Sequence, residues 1–267
     1  MYKKEDLKRQ LRAMGVQSGD TVVIHISLKA VGEVEGGGET VLDALIESVG
    51  DGLLIVPTHT WANVNKNQPI YDRSSTPSCL GVLPNLALGR GDGVRSLHPT
   101  HSVKAFGPRA EAYVSGEERC TTPTPQEGCW GRLLEEKAKI LLIGVGQERN
   151  TFLHAVEEML DIPQRLNQEP MELTIQDRGR VIASVQMHGH KNPYVEHLSE
   201  CFVKLEEPFR LAGAVSGGQF GDAPVQVCLA EECSREMSRL WALAAGQGLN
   251  LTDNFDPVPR EWYEGMV

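Results

Sequence analysis

The sequence predicts an α/β protein: three layers, α/β/α, around a mainly parallel central sheet, with an added hairpin region. Three observations point there. Segments with helical spacing alternate with short β-branched runs from the amino terminus onward, the order that builds βαβ units. The run ILLIGV at 140–145 is apolar on both faces, as a strand covered on two sides must be. The stretch 171–185 alternates around Gly179, the pattern of a hairpin.

Each element has its own signal. Leu7, Leu11 and Met14 stand at helical spacing and Gly15 is a natural stop. Gly19-Asp20 makes a turn into a buried strand at 21–26. Three glycines, Gly36 to Gly38, break the chain before a second helix marked by Val41, Leu42, Leu45 and Val49 and ended at Gly50. A second strand follows at 53–57. Residues 59–84 are irregular and polar, and connections of that length usually carry function. A short helix is expected at 83–88, a strand within 135–146, a helix at 151–160 and a late helix at 228–245. No internal repeat and no linker marks a boundary, so 1–267 reads as one domain with inserted loops.

Composition narrows the function. The 267 residues carry 26 Lys plus Arg against 36 Asp plus Glu, a net charge of -10, with 40% hydrophobic residues. That is ordinary globular composition. A pI near 5.3 argues against a nucleic-acid or anionic-membrane binder, both of which need a basic face. The amino-terminal stretch is charged and has no apolar signal core, and the runs at 53–56 and 140–145 are too short to cross a bilayer. None of the six cysteines forms a CxxC pair, so a reduced, cytoplasmic setting is the default expectation.

The strongest chemical signal is Asn150-Thr151-Phe152-Leu153-His154-Ala155-Val156-Glu157-Glu158. It follows the strand ending near Ile143, where open α/β sheets place their sites. On a helix, Thr151, His154 and Glu157 or Glu158 share a face, so a carboxylate can orient an imidazole that accepts a proton. The same residues also suit a plain helix start, with Asn150 or Thr151 as cap and glutamates favoured by the helix dipole. A second segment, His25 to Gly32, leaves the first strand and offers backbone amides and a hydroxyl at Ser27, though an ordinary βα loop reads the same way. A third, Arg95 to Ser102, packs two imidazoles, hydroxyls and Pro99 into a short loop. His98 and His101 have a spacing that could hold a metal with His188 or His190, which would make a metal-dependent hydrolase, but a ligand-binding loop suits it better. His188, His190 and His197 read as a solvated loop. Cys129 reads as a buried thiol, since no base stands beside it. No Gly-x-Ser-x-Gly elbow, Walker loop or dinucleotide fingerprint is present.

Taken in order, these pieces resemble the aminoglycoside 3-N-acetyltransferase family. The resemblance is carried by Val23-Ile24-His25-Ile26-Ser27-Leu28 with Gly32, then Gly36-Gly37, Asp51-Gly52, Val56-Pro57-Thr58, Arg95-Ser96, His98-Pro99-Thr100-His101-Ser102, Trp130-Gly131-Arg132-Leu133, Leu141 to Gly146, and Asn150-Thr151 with His154 and Glu157. It is clear from about residue 5 to about residue 160 and weaker to about 245. Gly128-Cys129 stands where the family has a Ser-Pro pair, and 59–84 matches no family segment.

The resemblance implies acetyl-coenzyme A as donor and an aminoglycoside amine as acceptor, with His154, Glu157 and Thr151 as the catalytic group. It implies a coenzyme site at His25, Ser27, Leu28, Lys29, Val31, Gly32, Ser96, His98, Pro99, Ser102, Val103 and Phe106. Asp72, Glu157, Glu158 and Asp161 are the acidic candidates for holding the cationic acceptor, and no resident metal is implied. The expected partner is a small-molecule amine, with no nucleic acid and no membrane, and homodimer formation is left open. A non-aminoglycoside amine is the alternative acceptor.

Overall fold

The structure is a computed structural model and describes residues 1–264 apart from 192 and 194. The elements run α1 (Lys4–Ala13), β1 (Thr21–Ile26), α2 (Gly37–Val49), β2 (Leu53–Pro57), β3 (Ile70–Asp72), α3 (Val82–Gly89), β4 (Gly93–Arg95), β5 (Val103–Phe106), α4 (Ala110–Tyr113), α5 (Cys129–Glu135), β6 (Lys139–Ile143), α6 (Phe152–Met159), β7 (Met171–Asp177), β8 (Arg180–Met187), α7 (Glu206–Leu211), β9 (Val215–Phe220), β10 (Ala223–Leu229) and α8 (Ala230–Gly246).

The central sheet has the order β4-β5-β2-β1-β6-β10-β9. β1 pairs parallel with both β2 and β6, and this parallel centre is flanked by antiparallel additions on each side. In direction, β4, β2, β1, β6 and β9 run one way and β5 and β10 the other, so the sheet is mainly parallel as expected.

Period-2 alternation sends side chains to opposite faces, and here both faces are covered. Val22, Ile24, Leu54, Val56, Leu141 and Ile143 pack with Leu7 and Leu11 of α1, Leu42 and Leu45 of α2 and Leu83 of α3. Val23, Leu53, Ile55, Ile140 and Leu142 pack with Trp130 of α5, Phe152 and Leu153 of α6 and Leu240 of α8. That is the three-layer arrangement. It requires the turns after β1 and β6 to approach closely. Gly144 has φ +65°, and a Cβ there would fall 2.4 Å from the Cβ of Ala30. Gly32 (φ +81°) is under the same pressure, because a Cβ would fall 2.1 Å from the carboxylate of Asp222.

Two expectations are corrected. The late helix does not begin at Cys228, which lies in β10 with its side chain in the core; α8 starts at Ala230. The segment 59–84 is not wholly irregular, since β3 lies within it and pairs with the expected hairpin β7–β8 as a separate three-stranded sheet. That sheet has a small core of Val64, Tyr71, Leu173, Ile175, Val185 and Met187. Among the described residues no helix is long and apolar enough to cross a membrane, and all six cysteines are free.

Candidate active site

β1, β2 and β6 all end at the same edge of the sheet, and the residues that follow them meet there. His25 is the last-but-one residue of β1, His59 comes two residues after β2, and Thr151 and His154 open the helix after β6. Together they line a cleft of about 430 Å³, closed on its other side by His101, Trp61, Val64, Leu80, Met171 and the 189–191 segment with His190. A crevice beyond the carboxyl ends of parallel strands is the usual ligand site of such sheets.

Thr151 occupies the cap position of α6 but makes no side-chain cap bond, so its hydroxyl is not committed to the helix. His154 sits one turn in. Its Nδ1 lies 3.8 Å from Glu157 Oε2, longer than a hydrogen bond, and neither atom has another protein partner. Glu157 is 1% exposed. Its other oxygen takes Arg165 Nε at 3.0 Å and the Thr252 hydroxyl at 2.5 Å. Burial alone would raise the Glu157 carboxyl, but His154, Arg165 and Thr252 outweigh it and hold the group below its ordinary value. The anion behind His154 is therefore secured by a buried guanidinium.

Around His154 the cleft is built of rings. His190 lies parallel to it with centroids 4.3 Å apart, and Phe202 meets it edge-on at 4.8 Å. His101 stands 5.3 Å from His190 and 4.7 Å from His59. His25 stacks on Trp130, whose indole N–H donates to the His101 carbonyl. Burial pushes His25 down to about 3, with Arg149 adding to it. Burial, then neighbouring imidazoles, pushes His59 and His101 well below the ordinary histidine value. These three rings are neutral at neutral pH, so they bring no positive charge to the cleft.

Known proteins resemble this chain in sequence and in fold. The family model of the aminoglycoside 3-N-acetyltransferases matches residues 23–241. The chain belongs to that family. Aminoglycoside N(3)-acetyltransferase VII of Streptomyces paromomycinus is 34% identical over 175 residues, 59% of this chain and 60% of that protein. The matches span about three fifths of the length of such curated relatives. Among solved structures, AAC-IIIb in binary complex with CoASH superposes with a TM-score of 0.78 at 21% identity, covering 91% of this chain and 97% of that one. AAC-VIa bound to sisomicin does so with a TM-score of 0.72 at 24% identity, covering 88% and 95%. At these identities the likeness is one of fold.

Of the residues the family resemblance nominates, Thr151, His154 and His25 line the cleft. The Arg95–Ser102 loop is largely scaffold. His98 Nδ1 accepts from the backbone N–H of Thr100 and His101, so Nε2 carries the proton and donates to the Thr122 carbonyl. With both nitrogens occupied, His98 has no lone pair for a metal, and the hydrolase reading fails on that residue. Ser102 donates to the Thr58 carbonyl at 2.7 Å, and the Ser96 hydroxyl accepts from Val103 N at 3.2 Å. Val31, Ser96, His98, Ser102, Val103 and Phe106 are all 1% exposed or less, and Pro99 is buried with its carbonyl taken by the Thr60 hydroxyl. Ser27, Leu28, Lys29 and Gly32 remain on the surface of the turn after β1.

The four acidic residues are redirected more sharply. Asp72 does not line the cleft; its carboxylate is bound by Ser74 and the Gly179 N–H, which hold it at about 2 against burial. Asp161 is exposed in the turn that ends α6 and is also off the cleft lining. Glu157 is enclosed as described. Glu158 is bound by the Thr122 and Thr124 hydroxyls, the Thr124 N–H and His190. None presents a free carboxylate to an acceptor in the cleft: Asp72, Glu157 and Glu158 are taken by local or tertiary donors that a count of charges does not see, and Asp161 is exposed away from the lining. The solvated-loop reading of His190 is likewise corrected, since its ring is packed on His154; His188 is tied to the Asn167 carbonyl and His197 lies exposed at the cleft mouth. Cys129 is buried, and burial pushes its thiol well above the ordinary value.

Sequence reasoning missed His59, Trp61, Arg149 and His190. His59 carried a usable signal: it follows a parallel strand directly, as His25 ends one. The others arrive through tertiary contacts.

Proposed function

We propose that the chain is an acetyl-coenzyme A-dependent N-acetyltransferase that acetylates the 3-amino group of an aminoglycoside by direct transfer, with His154 as general base. The observation that carries this reading is His154 itself, lining the cleft with a buried, guanidinium-anchored carboxylate behind its Nδ1. Nε2 is left to work in the cleft. An alkyl ammonium is mostly protonated near neutral pH and needs a base before it can attack a thioester. His154 takes that proton, Glu157 stabilises the imidazolium, and the freed lone pair displaces coenzyme A from its acetyl group. The Thr151 hydroxyl is placed to donate to the oxyanion that develops. The surface residues of the turn after β1, Ser27, Leu28, Lys29 and Gly32, with His25, form the coenzyme ledge. A positioned base typically contributes about 10²–10⁴ in rate, and holding both reactants about 7–11 kcal/mol.

A second reading of the acceptor rests on the cleft's charge. Its acidic lining residues are Glu148 and Glu196, matched by Arg149 and Lys191, and the Glu148 carboxylate already accepts from the Gly146 N–H at 3.1 Å. With Trp61, Val64, Leu80 and Met171 alongside, that lining suits an amine with fewer charges and more apolar surface than a polycation.

Coenzyme A release with acetyl-coenzyme A, run over aminoglycosides and simple hydrophobic amines with product masses read out, separates these readings. Acetylated aminoglycoside is the expected product. Release with only the hydrophobic amines replaces the acceptor, and no release with any amine overturns the activity.

A further inference from the structure

The mechanism above leaves one imidazole–carboxylate pair unused. His190 Nε2 lies 3.1 Å from Glu158 Oε1. Glu158 is held in turn by the hydroxyls of Thr122 and Thr124, each at 2.6 Å, and by the Thr124 N–H at 2.9 Å. The backbone fixes His190 as firmly. Asn167 N donates to the Gly189 carbonyl and Lys191 N to the Arg165 carbonyl, a short ladder with His190 paired to Leu166 at its centre. These bonds set the His190 ring against His154, 4.3 Å between centroids and 28° between planes. Glu157 and Glu158 are neighbours on α6, yet each serves a different imidazole of the stack.

The geometry shows why the stack matters. At 3.8 Å, Glu157 does not hold His154 by a hydrogen bond. Its carboxylate alone therefore leaves the ring free to turn about its Cβ–Cγ bond, which would swing Nε2 off the cleft. What remains to fix the ring plane is packing, by His190 on one side and Phe202 at an edge.

We propose that His190, anchored by Glu158, is a positioning residue that holds the ring plane of His154, keeping Nε2 in the cleft and Nδ1 toward Glu157. This rests on the reading of His154 as the base. His190 does so as a neutral ring. Burial, then His154, lowers its proton affinity, and Glu158 and Glu157 oppose this without reversing it. The groups around it are His154, Glu157 and Glu158 from α6, His101 and His59 from the facing loops, and Arg149, Glu148, Lys191, Glu196 and His197 along the same cleft. A neutral neighbour matters because a second cation stacked on His154 would oppose its uptake of the substrate proton.

Two measurements test this. In steady-state acetyl transfer, His190→Ala should lower kcat by about ten-fold, near the top of the range for one aromatic contact. KM for acetyl-coenzyme A should stay within about two-fold. His190→Phe, which keeps a ring without a proton site, should recover most of kcat, and His190→Leu should not. Unchanged kcat in His190→Ala, or equal losses in the Ala and Phe variants, overturns the role. The second measurement needs no turnover. In imidazole ¹⁵N spectra of the free protein followed against pH, His154→Gln should move the His190 titration up toward the ordinary histidine range, because the like-charge neighbour is gone. An unmoved His190 titration refutes the coupling whether or not any amine is acetylated. Absent turnover in wild type with a shifted His190 would fault the acetyl-transfer reading and leave the stack standing.

Discussion

The Arg95–Ser102 loop and the start of α6 carry the same kinds of group, imidazoles and hydroxyls, and the protein uses them in opposite ways. In the loop, His98 gives one nitrogen to two backbone N–H groups and the other to a carbonyl, and Ser102 reaches across to Thr58. Only Thr100 and His101 of this loop reach the cleft; the other imidazole and hydroxyls are taken up by the fold. At the start of α6, Thr151 makes no cap bond and His154 Nδ1 has no hydrogen-bond partner at all. The difference lies in the neighbours. Short polar loops satisfy their own side chains through nearby backbone. A helix interior offers no such donors, so its polar side chains keep their capacity until a substrate or another helix supplies a partner. A histidine with both nitrogens bound to backbone is scaffold, and one with a carboxylate behind it and space in front keeps a nitrogen for a ligand.

The sharpest way to break this comparison is at the support of the α6 site. Arg165→Met leaves Glu157 and Asp253 buried beside no counter-charge, and should destabilise the fold by about 3–5 kcal/mol. Denaturant unfolding checks it, and a loss under about 1 kcal/mol would show that the anion behind His154 is not held as described.

A smaller effect comes from pH. His25 is held neutral down to about 3 in the fold, against an ordinary value of 6.5. Below about pH 6.5 the unfolded chain gains a proton that the folded chain does not, so stability present above that pH is lost as pH falls. For His25 alone the loss is about 2 kcal/mol by pH 5, and His59, His101 and His190 act in the same direction. Glu157 and Glu158, lowered in the fold, add their own loss only below about pH 4.3, the ordinary carboxyl range. Thermal unfolding should therefore begin to weaken near pH 6.5, and His25→Asn should flatten that first fall. A melting temperature level from pH 7 to 5 contradicts a cleft lined by neutral imidazoles.

The smallest effect belongs to the loop. Ser102→Ala removes one of the two donors to the Thr58 carbonyl, Arg95 Nη2 remaining, and takes from the buried Arg95 Nε its acceptor; it should cost about 1–3 kcal/mol of stability, with kcat of the folded protein unchanged. A fall in kcat without a fall in melting temperature would show that Ser102 serves the cleft and not only the scaffold.

How much of this could be read from the residues follows the same division. β1 and β2 were legible to the residue because strands buried on both faces are rich in β-branched and apolar residues and here are bounded by turn signals. β4 and β5 were not, since three or four residues carry no period, and β9 hides two glycines where alternation should show. The cleft's core, Thr151 and His154 on a helix after a parallel strand, was legible from position and spacing. That Glu157 stands behind His154 was legible from the same spacing, but that Asp72, Glu157 and Glu158 are closed to an acceptor was not, because which way a carboxylate turns is decided by Ser74, Arg165, Thr252, Thr122 and Thr124, some of them far away in the chain. His190 was hidden for the same reason: its partners are on α6, and only the fold brings them to it.

One pair of readings on one variant bears most directly on the central claim. In His154→Ala, coenzyme A release and the melting temperature are measured on the same preparation. The account predicts that turnover falls by about 10²–10⁴ in a protein that stays folded, the melting temperature dropping only by what the lost contacts with His190 and Phe202 explain. Turnover within a few-fold of wild type in a folded His154→Ala protein would contradict it.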